Sequence, residues 1–200
     1  MSIIQGHAKS SGVTAFYPTT IDQSLRFEDG DGAYLSRTPA SAGNRKTFTW
    51  SGWVKVGNTD SYNPLFSAGT SGSAYASLWF NAGDLSAFSY NGGTVFYLNT
   101  NAVFRDPSAW YHVVWSVDTT QAIASDRMKL YVNGEQITSF SSSTYPSQNL
   151  DTYINSTIPH RVGWSEGGVD EFDGYMAEVH FTDGTAYTAD DFGELRSGIW

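Results

Sequence analysis

The densest group of side chains able to do chemistry is an acidic segment running from Ser165 to Asp173. It places four carboxylates around a pair of glycines, directly after Trp164. Calcium binds carboxylate and loop carbonyl oxygens, so this segment is a candidate calcium site. A Gly-rich turn at residues 29–32 also carries two acids, but a routine hairpin turn explains it. The four carboxylates of the segment belong to Glu166, Asp170, Glu171 and Asp173.

A carbohydrate is the second ligand that suits this segment. A sugar presents C–H faces to aromatic rings and hydroxyl groups to carboxylates and amides. We therefore expect a ligand site made of Trp164, Glu166, Asp170 and Asp173. Tyrosines in other loop-like segments offer further platforms for a sugar, namely Tyr62, Tyr145 and Tyr153.

Two of the carboxylates have a spacing that glycoside hydrolysis can use. A retaining glycosidase holds two carboxyl groups about 5 Å apart, as alternate residues of one strand can. Glu171 and Asp173 meet this condition if a strand already runs there. The next acid, Glu178, is five residues after Asp173 and would point to the opposite face of the strand. We expect a solvated acidic loop and no hydrolase activity, with a polysaccharide-degrading enzyme as the alternative.

The histidines indicate no metal centre. His7, His112, His160 and His180 are dispersed and have none of the close spacings of a zinc site. A Gly-x-Ser-x-Gly nucleophile elbow is also missing from the sequence. The expected role of His112 and His180 is structural.

The charge balance disfavours two classes of partner. Eleven basic and 20 acidic residues give a net charge of −9, without a Lys/Arg cluster to neutralise phosphates. We therefore expect no nucleic acid partner. No run approaches the roughly 20 apolar residues of a membrane helix, and the first ten residues do not resemble a secretory signal, so we expect no membrane insertion.

Alternation of apolar and polar residues predicts an all-β chain. The clearest strands are Thr47–Val56, Trp110–Val117 and Tyr175–Thr182, and the second is apolar on both faces, as a central strand is. Asn133-Gly134 predicts a tight hairpin between residues 128–132 and 135–137. Weaker strands are predicted at Ser24–Phe27, Ala33–Ser36, Tyr75–Phe80, Leu85–Tyr90, Thr94–Asn99 and Arg161–Trp164.

The two ends of the chain differ from this pattern. Residues 1–20 are small and polar with spaced apolar residues, which indicates an N-terminal arm or linker that orders against a partner. The domain is predicted to cover residues 21–200. One short C-terminal helix is predicted over Ala189–Leu195, with Thr188 as its N-cap.

Five short phrases follow one another along the chain: Ser24–Phe27, Phe48–Lys55, Trp110–Asp118, Leu130–Glu135 and Phe172–Val179. Taken together and in order, they resemble the laminin G-like branch of the concanavalin A-like lectin and glucanase superfamily. That resemblance implies an antiparallel two-sheet β-sandwich, or jelly roll, with ligands on a concave face or on rim loops. It also implies a core that includes Trp50, Trp115, Leu130, Val132, Tyr175 and Val179.

The resemblance also bears on activity and setting. Glucanases of the superfamily carry a third carboxylate where this chain has Tyr175 and Met176, which argues against hydrolysis. The segments Tyr34–Lys55 and Gly174–Glu194 resemble laminin G-like domains of marine bacteriophage virion proteins, such as tail fibres, appendages and surface proteins. We therefore expect a virion protein that contacts other virion proteins or its own copies and attaches to a host-surface glycan. A decoration protein without a ligand is the remaining alternative.

If calcium binds the acidic segment, it should stabilise the fold. A ligand that binds only the native state raises the melting temperature, and a chelator reverses the effect. We expect Asp173→Asn to remove the calcium-dependent increase measured by calorimetry. An equal melting temperature with calcium and with chelator would exclude the site.

Overall fold

Short alternating runs separated by turn residues form thirteen strands in the computed structural model, which describes residues 21–166 and 171–200. The predicted arm at residues 1–20 and the predicted ligand Asp170 lie outside the described residues. The strands are β1 Leu25–Phe27, β2 Leu35–Arg37, β3 Thr47–Val56, β4 Tyr62–Ser71, β5 Ala74–Asn81, β6 Asp84–Asn91, β7 Thr94–Val103, β8 Tyr111–Asp118, β9 Met128–Val132, β10 Glu135–Gln136, β11 Phe140–Thr144, β12 His160–Val162 and β13 Gly174–Asp183.

The strands form two antiparallel sheets, which confirms the predicted sandwich. The six-stranded sheet has the order β1-β13-β3-β8-β9-β10, and the seven-stranded sheet has the order β11-β7-β6-β5-β4-β12-β2. The described residues also form three short 3₁₀ helices, at Asp29–Asp31, Ala124–Asp126 and, after the last strand, Ala189–Asp191. In the described part of the chain, none of the helices has the length and apolarity needed to cross a bilayer.

The core lies between the sheets and is dominated by aromatic rings. On β3 the predicted inward face is confirmed, because Phe48, Trp50, Val54 and Val56 are all buried. Trp50 pairs with Trp115 of β8 in the sheet and stacks on Phe66 of β4 across the core, with ring centroids 6.3 Å apart. Aromatic contacts of this kind add to the free energy gained by burying the apolar area.

The outer face of the six-stranded sheet, the face directed away from the other sheet, is covered by the C-terminal segment. Val114 and Tyr131 are buried there under Ala189, Phe192 and Trp200. This second cluster explains why β8 is apolar on both faces, as predicted.

The turn Asn133-Gly134 is confirmed, with φ angles of 50° and 84°. Gly134 is required for a second reason. A Cβ atom there would lie 2.2 Å from the ring of Trp200. The turn therefore both closes the β9–β10 hairpin and seats the Trp200 ring.

The predicted inward face of β13 is wrong in its first residues and right after a bulge. Before the bulge Met176 pairs with the core residue Val54 and is buried, whereas Tyr175, expected in the core, pairs with Lys55 and is 38% exposed. The β-bulge between Ala177 and His180, with Glu178 at a φ of 47°, shifts the alternation, so that Phe181 pairs with Trp50. Val179, also expected in the core, faces the inner side beside Gly52 but stays 36% exposed. One inserted residue changes which face the later side chains occupy.

Two strands are missing from the sequence prediction, β4 and β11. Strand β4 contains Pro64 and Gly69, which disfavour strand structure, and it carries bulges beside both. Strand β11 consists largely of Ser and Thr at the edge of its sheet. Neither segment shows the alternation that identifies a half-buried strand.

The predicted C-terminal helix is shorter than expected. It is a 3₁₀ helix that ends at Asp191, although Thr188 caps it as predicted, with its backbone N–H and its hydroxyl both donating to the Asp191 carboxylate. The chain leaves the helix so that Phe192 and Trp200 can pack on the sheet. Tertiary packing thus limits the helix to one turn.

His112 lies beneath the C-terminal segment, and its pKa offers a test of how well that segment covers the sheet. His112 is enclosed by the rings of Trp53, Phe192 and Trp200 at centroid distances of 5.1, 5.9 and 5.7 Å. Burial, with a smaller contribution from the nearby His180, lowers the pKa of His112 from 6.5 to about 4. The folded protein therefore holds His112 neutral where the unfolded chain binds a proton.

We expect the free energy of unfolding to decrease as the pH falls from 6.5 towards about 4, because only the unfolded state takes up this proton. The difference in pKa corresponds to roughly 3 kcal/mol at most. His112→Phe, which keeps a ring in the cluster, should flatten this pH dependence in urea denaturation. His180→Gln, at an exposed histidine, is the control that should retain most of it. An unchanged slope in His112→Phe would assign the pH dependence to other groups.

Candidate functional site

The outer face of the seven-stranded sheet carries a cluster of six aromatic side chains. Alternation along β5 directs Ala76, Leu78 and Phe80 to the core and the residues between them to the outer face. The register then places aromatic residues of β4, β6 and β7 beside those of β5. We call this cluster the aromatic face, and it consists of Tyr62, Tyr75, Trp79, Phe88, Tyr90 and Tyr97.

Phe88 lies at the centre of the aromatic face. Its ring centroid is 5.3 Å from that of Tyr97, 5.6 Å from Trp79 and 5.8 Å from Tyr75. The Tyr90 ring is stacked on the Phe88 ring, with centroids 6.2 Å apart. The Tyr62 ring contacts the Trp79 ring, with centroids 4.9 Å apart, and so extends the cluster. The rings hold one another in place. Those of Tyr62, Phe88, Tyr90 and Tyr97 are partly exposed, whereas Tyr75 and Trp79 are buried beneath them.

Small serines lie between the rings on the same face. Ser77 pairs with Phe88 in the sheet, and its hydroxyl donates to the carbonyl of Phe66 at 3.3 Å. The Ser67 hydroxyl donates to the carbonyl of Trp164 at 2.7 Å, and the Ser86 hydroxyl bonds to Asn99. These hydroxyls are thus satisfied within the protein and leave the rings as the contact surface.

A polar group adjoins the aromatic face at Glu166. A Cβ atom at Gly69 would lie 2.6 Å from the Tyr75 Cβ and 2.8 Å from the Glu166 Cγ. Glu166 and Tyr75 therefore pack on the same glycine, which only a residue without a side chain allows. Glu166 in turn accepts from Arg161 Nη1 at 2.6 Å.

Arg161 connects this ion pair to two further rings. Its guanidinium carbon lies 4.4 Å from the centroid of the Trp164 ring, and the ring centroid of Tyr34 lies 5.9 Å from that of Trp164. The carboxylate, the guanidinium and the two rings thus form one connected group at the β12 margin of the sheet.

The four predicted ligand residues do not form one group. Trp164 and Glu166 are brought together, and Arg161, which was not predicted, lies between them. Asp173 lies next to the end of β3, where its carbonyl accepts from the backbone N–H of Gly57 at 2.8 Å and its carboxylate faces Gly57. Asp170 lies outside the described residues.

The carboxylates predicted for hydrolysis lack the strand that would pair them. Strand β13 begins at Gly174, and Phe172 between the two acids is buried in the core. The Glu171 carboxylate faces Gly32, whereas the Asp173 carboxylate faces Gly57. The two acids therefore have different surroundings.

Tyr145 and Tyr153, the other predicted platforms, are partly buried against the core. Burial raises the pKa of Tyr145. Tyr153 lines a cavity of about 150 Å³ together with Arg45, whose guanidinium donates to the carbonyls of Asp151 and Thr152. Tyr62, by contrast, begins β4 and belongs to the aromatic face.

Across residues 21–166 and 171–200, no three His, Cys, Asp or Glu side chains are grouped closely enough to hold a metal ion. His160 has a structural role. Its Nε2 accepts from the backbone N–H of Asn155 at 2.7 Å, so Nδ1 carries the proton and donates to the carbonyl of Ile158 at 2.8 Å. Burial lowers the pKa of His160, and the charge of Arg37 adds to this effect.

Most residues of the aromatic face are absent from the sequence prediction of the site. The signal that was available is the two-faced apolar pattern of β5, in which Tyr75 and Trp79 alternate with Leu78 and Phe80. Such a pattern indicates that both faces are covered or functional, but it does not identify the face that points to the core.

One family model matches most of the chain. The model is described as the concanavalin A-like lectin/glucanases superfamily, and it matches residues 29–191. No curated protein sequence matches the chain.

Solved structures share the fold at low sequence identity. A Ruminococcus gnavus IT-sialidase CBM40 bound to α2,3-sialyllactose has a TM-score of 0.58 and 14% identity, covering 84% of this chain and 93% of that chain. Domains LG4-5 of the mouse laminin α1 chain have a TM-score of 0.58 and 13% identity, covering 94% of this chain and 50% of that chain. The third structure is domain 4 of AbnA, a GH43 extracellular arabinanase from Geobacillus stearothermophilus, in complex with arabinotriose. It has a TM-score of 0.53 and 16% identity, covering 82% of this chain and 68% of that chain.

Proposed function

Because this chain belongs to the concanavalin A-like lectin/glucanases superfamily, we propose that it is a non-enzymatic carbohydrate-binding protein. The observation that carries the proposal is the aromatic face, where Phe88 contacts four other rings on the outer surface of a sheet. Two of the solved structures that share the fold contain a bound oligosaccharide, which supports the same class of ligand.

The aromatic face has the chemistry that a sugar requires. Aromatic rings pack against the C–H faces of a sugar, while hydroxyl groups bond to the sugar's own hydroxyls. Four of the six side chains are tyrosines, which offer both kinds of contact. Burial raises the pKa of Tyr75, and the neighbouring Tyr90 raises it further, so the Tyr75 hydroxyl remains a donor at neutral pH.

The position of the rings on a sheet also favours binding. Side chains on paired strands are ordered before the ligand arrives, so less conformational entropy is lost on binding than with a mobile loop. The contacts of Phe88 with the rings of β5 and β7 fix its orientation. The ligand meets a preformed surface.

Carboxylate geometry supports the absence of catalysis. At the aromatic face the acids are Glu166, which packs on Gly69 beside Tyr75, and Asp84, which pairs with Asn81 at the other end of β5. The two acids therefore lie beside opposite ends of β5, at Tyr75 and Asn81, and these residues are six positions or roughly 20 Å apart. A glycosidase needs its two carboxyl groups about 5 to 9.5 Å apart.

The proposal extends to the setting of the protein. The resemblance of Tyr34–Lys55 and Gly174–Glu194 to marine bacteriophage virion proteins supports a place on the surface or tail of a virus particle. There the aromatic face would attach to a glycan of the host surface.

Exposed apolar residues support protein partners in that setting. Leu25 of β1 and Tyr175, Val179 and Phe181 of β13 are all more than one third exposed. They occupy the β1 side of the six-stranded sheet, away from its C-terminal cover. Such residues suit contacts with other virion proteins or with a second copy of this chain.

Substitution on the aromatic face should weaken sugar binding. We expect Tyr97→Ala to reduce the affinity for an oligosaccharide identified on a glycan array by about tenfold, since removal of one stacking residue from a binding surface commonly costs 1 to 2 kcal/mol. Isothermal titration calorimetry measures the change. Tyr175→Ala removes a comparably exposed tyrosine from the other sheet and is the matched control, expected to bind as the native chain does. Equal loss in both variants, or no binding to any glycan, would contradict the proposal.

The absence of hydrolysis is tested separately. We expect the protein to release no reducing sugar from β-glucans, arabinans or xylans during prolonged incubation, because Glu166 and Asp84 lie beside opposite ends of β5, too far apart to act as a pair. Release that Glu171→Gln abolishes would show that the chain is an enzyme.

A further inference from the structure

The charge of the aromatic face distinguishes between classes of sugar. The seven strands of this sheet contain two Arg or Lys residues, Arg37 and Arg161. Arg37 pairs with His160, which lies opposite the core residue Ala68, so Arg37 belongs to the core side at the edge of the sheet. Arg161 pairs with Ser67 on the outer face. Of these two cations, only Arg161 is on the side of the sheet that carries the aromatic face.

Arg161 is already engaged by the protein. Its Nη1 donates to Glu166 at 2.6 Å, and its guanidinium lies over Trp164. The two side chains of the ion pair are only 16% and 15% exposed, which makes it more enclosed than the other ion pairs of the described residues. An acidic sugar would have to displace Glu166 from a mostly desolvated partner, and the displaced carboxylate would be left unpaired.

Two acids flank the aromatic face. Asp84 accepts from Asn99 at the far end, where Arg105 packs on Gly83 and donates to the carbonyl of Ala82, and Glu166 lies at the near end. The chain as a whole has a net charge of −9. This net charge repels a carboxylate or sulfate and has little effect on a neutral sugar.

The uncharged groups of the aromatic face suit neutral sugars. The polar groups that its rings carry are the tyrosine hydroxyls, which bond to the hydroxyls of neutral sugars. The partly exposed rings of Tyr62 and Tyr90 lie opposite Asn81 and Tyr75 of β5, six residues or roughly 20 Å apart, so the rings extend beyond a single sugar. A short chain of sugars fits this length.

We infer that the aromatic face binds neutral oligosaccharides and excludes sialylated and other acidic ones, and that the Arg161–Glu166 pair is the specificity-determining element. This inference rests on the proposed function. Glu166 neutralises the cation that a sugar carboxylate would need, so loss of its charge makes Arg161 available.

The test compares two panels of sugars on the full-length chain. The neutral panel contains arabinotriose, xylotriose and cellotriose, and the acidic panel contains α2,3-sialyllactose and trigalacturonate. We expect binding to at least one neutral sugar, and affinities for acidic sugars lower by roughly tenfold or more. Calorimetry or microarray binding measures both.

Glu166→Gln should increase the affinity for acidic sugars relative to neutral ones by roughly tenfold, because Arg161 loses its carboxylate partner. Glu178→Gln changes the net charge equally at an exposed site on the other sheet and should leave the ratio unchanged. If Glu166→Gln does not fold, as judged by circular dichroism, Arg161→Gln is the second variant. It removes the cation and leaves the Glu166 charge unpaired, so it should lower the affinity for acidic sugars relative to neutral ones further.

The outcomes separate the two proposals. Preference of the native chain for an acidic sugar, weakened by Tyr97→Ala, would overturn the inference and leave the carbohydrate-binding function in place. An unchanged ratio in Glu166→Gln would overturn the role of the ion pair. Binding to neither panel nor to any glycan of an array would overturn the proposed function itself.

Discussion

The packing of Trp50 against Trp115 and Phe66 is the constraint on which the rest of the structure depends. Trp50 and Trp115 are paired across β3 and β8, and Trp50 stacks on Phe66 of the opposite sheet. Because side chains alternate along a strand, placing these three rings inward determines the direction of the neighbouring residues as far as the next bulge. Ser51, Val114 and Ser67 are thereby directed outward, away from the central core.

The outward residues of the two sheets differ in whether another segment covers them. On the six-stranded sheet the outward residues Val114 and Tyr131 are covered by the C-terminal segment with Phe192 and Trp200. On the seven-stranded sheet the outward residues are aromatic rings interleaved with serines, and several of these rings remain partly exposed. This asymmetry supports the proposal that the aromatic face binds a ligand.

Gly69 and the Arg161–Glu166 ion pair determine the structure at the margin of the aromatic face. Gly69 lets Tyr75 and Glu166 approach the same point of β4, which joins the aromatic face to the Arg161–Glu166 pair. The pair holds a cation and an anion in a mostly enclosed position, so its net charge is zero where a ligand would meet it. The local polarity of the site therefore comes from hydroxyl and amide groups.

The sequence by itself determined the features that depend on local pattern. The alternation of β3 and β8 and the Asn133-Gly134 hairpin were predictable, because period-two patterning and the positive φ of a tight turn are properties of neighbouring residues. The family resemblance depended on the same local phrases. The pairing of Trp164 with Glu166 was also predictable from their closeness in the chain.

Only the tertiary structure decided which faces are covered. The pairing of β13 with β3 places Tyr175 opposite Lys55 and outside the core, and the bulge then reverses the alternation. Asp173 lies beside Gly57, apart from the group formed by Trp164 and Glu166. The aromatic face depends on the register of four strands, and its tyrosines look like core residues in a pattern that is apolar on both sides. The physical reason is that an amino-acid pattern specifies that two faces alternate, whereas long-range packing specifies which of them is buried.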